Sequence, residues 1–464
     1  MNATTTTAES KTTRTLKSVN PYNGETLTTF PEMTPEEIDA AIGKADKAYE
    51  EWKNTAFAER AKVLKRVAEL YRERKEELAL LMAKEMGKKV EHGRAEIDLV
   101  AEIFDFYADE GEKLLAAKKI TTRDGEGVML NQPVGIIYGI QPWNFPFYQP
   151  ARCTAPNLIA GNVVLTKHAS NVPQCARAFA QIMVEAGTPE GVYTNLVVTA
   201  SNAGAIIDDD RVQGVSFTGS NAGGAKVAEQ AGRNVKKTVM ELGGVDPFIV
   251  LDDADMEKTA EYLAFTKMLC SGQICISPKR IILVESIADK FLSRVKEHLE
   301  ELTAGDPTQE GSHYGPLCTE KAARDVEAQI RKSVEGGATL LLGGKRDSAF
   351  VEPTILTDIP KGTPASDEEI FGPVACVFIV KDEAEAIKAA NDSQFGLGSS
   401  VYTTNKERGY KVAEQLEAGT AFVNHMSWTY ASMPMGGVKK SGYGRELGHL
   451  GIMEFVNEKL IRTF

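Results

Sequence analysis

Four short stretches of this sequence combine residue types that could do covalent chemistry or hold a phosphate. Gly272-Gln273-Ile274-Cys275 places a cysteine after a glycine-containing turn near the end of a helical run, where a ligand could reach it. The thiolate is the reactive form and needs a base or a positive field to be populated at neutral pH. A cysteine among apolar neighbours is more often buried and inert, so this residue alone leaves both readings open. Glu241-Leu242-Gly243-Gly244 ends a buried strand with a carboxylate, at the carboxyl edge where α/β proteins bind ligands. Desolvation there moves a carboxyl toward the range of a general base, whereas a cap or solvated turn acid is the plainer alternative. In Pro142-Trp143-Asn144-Phe145-Pro146 two prolines stiffen a loop whose Asn144 amide could hold an oxyanion or satisfy the loop backbone. Phe217-Thr218-Gly219-Ser220-Asn221-Ala222-Gly223-Gly224 runs a strand into a helix through small residues, which suits a pyrophosphate at a helix N-terminus. It is not G-x-G-x-x-G, so an ordinary strand–helix turn remains a competitor.

These segments need a scaffold, and the hydrophobic pattern supplies one. From residue 134 short Val/Ile-rich runs alternate with helical segments: Val134–Ile140, Val163–Thr166, Thr194–Val198, Gly214–Thr218 and Lys237–Glu241. Continuous apolar strands of this length belong in a parallel sheet covered on both faces, which predicts a doubly wound α/β domain. After Gly244 a second α/β block carries strands at Phe248–Leu251, Arg280–Val284, Thr339–Leu342, Ala375–Val380 and Gly398–Thr403, with helices at Met256–Leu269 and Ala384–Asn391. Toward the N-terminus, Thr34-Pro35-Glu36-Glu37 signals a capped helix start, with Ile38, Ile42, Ala45 and Trp52 at helical spacing. A second helical pattern runs from about Phe57 to Met86. Lys118–Asn131 and Phe455–Phe464 both read as extended, and paired together they would make a projecting arm.

Bulk properties bound the function. A chain of 464 residues exceeds what one core sustains, so at least two domains are expected. A net charge of −12 argues against nucleic-acid or anionic-membrane partners. The six cysteines show no C-x-x-C spacing, so neither a disulfide scaffold nor a metal site is expected, and a reducing cytoplasm is the natural setting. The opening MNATTTTAESKTTRTLKS is polar and lacks an apolar core, so it reads as a frayed tail and not a signal peptide. There is no run of eighteen apolar residues to span a membrane.

Taken in order, the motifs resemble the aldehyde dehydrogenase family from about residue 18 onward. Beside ELGG at 241–244 and GQIC at 272–275 stand PWNFP at 142–146, FTGS at 217–220, EEIFGPV at 368–374 and GGVKKSGYGRE at 436–446. The resemblance implies a Rossmann-type cofactor domain (1–117 and 134–243), an α/β catalytic domain (244–441) and a β oligomerisation arm (118–133 and 442–464), hence a homodimer or homotetramer. It implies that Cys275 attacks an aldehyde, that Asn144 and the Cys275 N–H hold the oxyanion, and that Glu241 activates water against the resulting thioester. It further assigns Trp143, Lys167, Ser170, Gly219, Ser220, Gly224, Leu242, Glu369 and Phe371 to a nicotinamide cofactor. Many NAD-preferring relatives carry a Glu where Ser170 stands. The hydroxyl removes a charge that would repel a 2′-phosphate, so NADP is favoured over NAD. His168 beside it reads as a packing residue.

The segment PWNFPFYQPAR is most similar to the branch acting on succinate semialdehyde. There Arg152 corresponds to an arginine on the substrate's distal carboxylate, which a guanidinium suits through two parallel donors; a surface ion pair is the alternative. Thr429 stands where some members place a serine with the same duty, with Trp428 and Tyr430 nearby. Two departures matter. Leu269 replaces a second arginine of some members, which leaves a broader range of aldehydes open, and Ser277 replaces a second cysteine that serves as a redox switch. Two other classes compete. A cysteine hydrolase needs a Cys–His pair, yet none of the six histidines lies in a partner motif. A non-catalytic relative sits poorly with Cys275, Glu241 and Asn144 occurring together.

Overall fold

The structure is a computed structural model in which residues 14–463 are described. Most of the expected N-terminal tail lies outside those residues, although Thr15–Ser18 already belong to a strand, Thr15–Val19, paired antiparallel with Thr26–Pro31. The capped helix forms at Pro35–Trp52. Thr34 accepts the Glu37 N–H while the Glu37 carboxylate accepts the Thr34 N–H, and Ile38, Ile42, Ala45 and Trp52 face the core. The single helical pattern at 57–86 resolves into two helices, Phe57–Glu73 and Lys75–Met86, broken at Arg74 (φ −103°). The sequence reading passed over Val90–Leu114, a helix of 25 residues.

The first sheet runs in the order Gly442–Tyr443, Lys237–Glu241, Val212–Thr218, Ile136–Ile140, Val163–Lys167, Tyr193–Asn195. All pairings are parallel except that of Gly442–Tyr443 with Lys237–Glu241. Ile136–Ile140 and Val163–Lys167 are buried along their whole length, which explains their unbroken apolar character. The chain starts in the middle, winds outward, and returns to place Val212–Thr218 on the other side of Ile136–Ile140. The carboxyl ends of those two strands form the switch point of a doubly wound sheet, and from them leave the loop with Asn144 and the turn at Gly219-Ser220.

The second sheet follows the order Thr339–Leu342, Thr354–Thr357, Val374–Val380, Arg280–Val284, Pro247–Val250, Ser400–Tyr402, Phe422–Val423, antiparallel only at its first pair. A separate antiparallel ribbon joins Lys118–Thr122, Gly125–Pro133 and Val456–Arg462, with Val456 opposite Pro133 and Arg462 opposite Gly127. The C-terminal segment reaches this ribbon late: Gly442–Tyr443 extends the first sheet, and the helix Gly448–Met453 packs on Val90–Leu114 and Tyr148–Ala160. No helix of the described residues is long and apolar enough to cross a membrane.

Candidate active site

The helix Met256–Met268 ends in a tight turn whose next residues, Cys270 (φ 49°), Ser271 (φ 54°) and Gly272 (φ 76°), are all left-handed. A Cβ on Gly272 would lie 2.2 Å from the Gly372 carbonyl oxygen, so only glycine lets the chain reverse here. The reversal presents Gln273-Ile274-Cys275. Of the six cysteines five are buried, while Cys275 is partly exposed and lines a cavity of about 100 Å³. Burial pushes its thiol up to about 12, opposed by Lys279 and Arg152. At neutral pH the thiol therefore rests protonated and needs a base.

Glu241 closes its strand between Thr218 on one side and Gly442 on the other. It is 2% exposed, and its Oε1 has no hydrogen-bond partner among the described residues. Burial raises this carboxyl, Arg152 opposes the shift and Glu446 adds to it. A desolvated carboxyl with a free acceptor is what a proton-abstracting base requires. A Cβ on Gly436 would sit 3.0 Å from Glu241 Oε1, so glycine there leaves the oxygen room. Asn144, buried in its loop, donates from Nδ2 to the Gln273 carbonyl at 2.9 Å and so abuts the segment that carries Cys275.

The cofactor candidates gather at the switch point. Ser220 caps the helix Asn221–Arg233, accepting the Gly223 N–H at 3.3 Å, and the first turn carries no acid. Gly219 donates its N–H to the Glu241 carbonyl at 3.0 Å, and a Cβ on Gly224 would come within 2.4 Å of Leu242. Such a small-residue cradle at a helix N-terminus fits a pyrophosphate. The Trp143 and Phe371 rings meet edge-on at 5.8 Å. Glu369 accepts the Gly244 N–H at 3.2 Å and faces Lys279 at 3.0 Å. Lys167 donates to the His168 carbonyl at 3.1 Å, and Ser170 lies exposed in the next turn. His168 is buried, bonded to the Pro146 carbonyl, and held neutral by burial at about 4, in keeping with a packing role. Sequence reading missed Glu32, whose charge reaches Lys167 while Thr199 and Asn202 saturate its Oε1.

Arg152 is not a surface residue. It is 1% exposed and lines the same cavity as Cys275, together with Tyr148, Leu269, Trp428, Thr429 and Met435. Its Nε lies 2.8 Å from Glu446 Oε2, though the N–H is not aimed along that line. Nη2 donates to Thr218 at 3.3 Å, and Nη1 reaches the Tyr148 hydroxyl at 3.3 Å and the Met435 sulfur at 3.0 Å. A thioether is a poor acceptor, so Nη1 keeps capacity for an incoming anion. Tyr430 is not among the residues lining this cavity. His92 does line it, yet burial holds the ring at about 4 and its Nδ1 accepts the Cys270 N–H at 3.4 Å. Ser277 is fully buried beneath the loop.

A doubly wound sheet with a phosphate-type turn at its switch point, beside a second, mostly parallel sheet, is the architecture of nucleotide-binding α/β proteins. Comparison narrows the class. The family model described as the aldehyde dehydrogenase family matches residues 7–461, and the chain belongs to that family. It is 45% identical to the succinate-semialdehyde dehydrogenase [NADP(+)] of Deinococcus radiodurans over 98% of this chain and 96% of that one. It is 41% identical to a probable succinate-semialdehyde dehydrogenase [NADP(+)] of Synechocystis sp. over 96% and 99%. Its fold superposes with a TM-score of 0.95 on the succinic semialdehyde dehydrogenase of Streptococcus pyogenes in complex with NADP+, at 39% identity, covering 97% of this chain and 99% of that one.

Proposed function

We propose that this aldehyde dehydrogenase oxidises succinate semialdehyde to succinate with NADP as the preferred acceptor. One observation carries the reading: a partly exposed thiol and a buried guanidinium line one small cavity. That pair offers a nucleophile for an aldehyde carbon and a cation for a carboxylate at the far end of the same molecule. The names of the relatives at 45% and 41% identity, and the NADP+ of the Streptococcus pyogenes complex, support it.

In this reading Cys275 gives up its proton to solvent and adds to the aldehyde carbon, giving a thiohemiacetal, and Glu241 stays free as the base for the later step. Asn144 Nδ2 and the Cys275 N–H hold the oxyanion. Bound NADP would supply the acceptor for the hydride whose loss turns the thiohemiacetal into a thioester. Glu241 then draws a proton from water, which attacks the thioester and releases the acid and the thiol. Trp143, Lys167, Ser170, Gly219, Ser220, Gly224, Leu242, Glu369 and Phe371 would hold the cofactor. Arg152 and Thr429 would hold the substrate carboxylate. The first sheet serves the cofactor, the second carries the nucleophile, and the ribbon, with Leu460 and Ile461 exposed, joins copies into a homodimer or homotetramer in the cytoplasm.

A second reading, oxidation of uncharged aliphatic aldehydes, is favoured by Leu269 in the cavity wall and by Glu446 beside Arg152. Reduced-cofactor absorbance with succinate semialdehyde and with butanal, each with NADP and NAD, separates the two. Higher kcat/KM for succinate semialdehyde with NADP supports the first reading, and equal or better use of butanal overturns it.

A further inference from the structure

Lys279 stands immediately before the strand Arg280–Val284, where a lysine ordinarily reads as a surface cation. It is 3% exposed. An ammonium is tolerated in such a place only when its donors are satisfied, and here three acceptors meet it. Nζ donates to the Ile274 carbonyl at 2.8 Å and to the Cys275 carbonyl at 2.6 Å, and pairs with Glu369 Oε1 at 3.0 Å. The Phe371 ring centre lies 5.7 Å away. One buried charge thus touches both carbonyls around the nucleophile and a carboxylate on the cofactor side.

The peptide geometry gives the contact a consequence. In a trans peptide the carbonyl of Ile274 and the N–H of Cys275 point in opposite directions. Fixing that carbonyl on Lys279 fixes the N–H on the side away from it. We propose that Lys279 is a positioning residue for the reaction: it orients the Ile274–Cys275 peptide so that its N–H is available to an oxyanion, and it divides its charge between Cys275 and Glu369. The inference rests on the reading of Cys275 as nucleophile. The charged groups facing Cys275 are Lys279 and Arg152, which favour the thiolate, and Glu369 and Asp246, which oppose it. Around Lys279 stand Glu369, Asp246 and another buried lysine, Lys267, which donates to the Pro278 carbonyl at 3.0 Å. Because Glu369 neutralises Lys279, whatever engages Glu369 sets how strongly the ammonium acts on the thiol.

The test is the pH profile of Cys275 alkylation by iodoacetamide in cofactor-free enzyme, read by peptide mass spectrometry. Lys279→Met moves the profile to higher pH, with about tenfold slower alkylation at pH 8 for a shift of one unit. Lys279→Arg stays near the wild type. Glu369→Gln, with Lys279 left unneutralised, moves the profile to lower pH. A merely structural lysine would not give opposite shifts for the two partners of one ion pair. Profiles that stay put, or that move in the same direction, overturn the proposal. If Lys279→Met does not fold, Glu369→Gln and Lys279→Arg decide alone: a lowered profile for the first and an unmoved one for the second support it, and any other pattern overturns it. Should Cys275 not alkylate ahead of the five buried cysteines, the nucleophile reading falls and this inference with it. If Cys275 alkylates first but with an unmoved profile, the inference alone is lost.

Discussion

Burial raises both the Cys275 thiol, to about 12, and the Glu241 carboxyl, so each group is disfavoured as an ion until the other or a substrate takes the charge. Cys275→Ala should abolish aldehyde oxidation while NADPH binding, followed by fluorescence, persists; unchanged turnover would refute the nucleophile. For Glu241 the sign of the pH effect is fixed. Its folded pKa lies above the ordinary 4.5, so between the two values the folded chain holds the proton more tightly and stability falls as pH rises. Glu241→Gln does not titrate there. The variant's Tm advantage should therefore grow from about pH 4.5 upward and level off once the wild-type carboxyl has ionised, and a pH-independent difference would contradict a buried, unpaired acid. Arg152→Ala should raise KM for succinate semialdehyde by roughly ten- to a hundredfold, the worth of a charge-assisted hydrogen bond of about 1.5–3 kcal/mol. An equal rise for butanal would remove the carboxylate role. At this scale the sequence pointed to candidates embedded in short motifs, Cys275, Glu241 and Asn144. It hid Lys279 and Glu446, because nothing local announces that a lysine beside a strand or a glutamate after an arginine will be buried.

The segment that carries Cys275 depends on an element that stores strain. Cys270, Ser271 and Gly272 turn left-handed in succession, and a Cβ on Gly272 would collide with the Gly372 carbonyl. Gly272→Ala should displace the loop and lower kcat at least tenfold, with a stability loss on the order of 1–3 kcal/mol by chemical denaturation. Wild-type kcat in that variant would show that the reversal does not set the geometry. Strands were legible because burial on both faces leaves unbroken Val/Ile runs, as in Val163–Lys167 and Arg280–Val284. The helix Val90–Leu114 was not, since its inner face carries Glu96, which pairs with the equally buried Lys88 and accepts the N–H groups of Phe147 and Tyr148. Polar residues that meet only in three dimensions disguise an inward face as an outward one. The break at Arg74 was likewise invisible, as no Gly or Pro marks it.

On the scale of the molecule, two mostly parallel sheets bring the switch point of one against the Cys275 loop of the other, and the ribbon Lys118–Thr122, Gly125–Pro133, Val456–Arg462 stands apart with exposed apolar residues at Ile120, Leu460 and Ile461. If that ribbon joins copies, Leu460→Asp with Ile461→Asp should lower the oligomer mass in light scattering, and an unchanged mass would exclude it. The pairing of two segments distant in the chain was foreseeable as extended pattern, but the entry of Gly442–Tyr443 into the first sheet was not, because two residues carry no periodicity. The central claim is a covalent intermediate on Cys275 that Glu241 resolves. Its most direct test is rapid-quench mass spectrometry of Glu241→Gln mixed with succinate semialdehyde and NADP. The account predicts a succinyl thioester accumulating on the peptide that carries Cys275; normal turnover with no adduct, or an adduct on another residue, would contradict it.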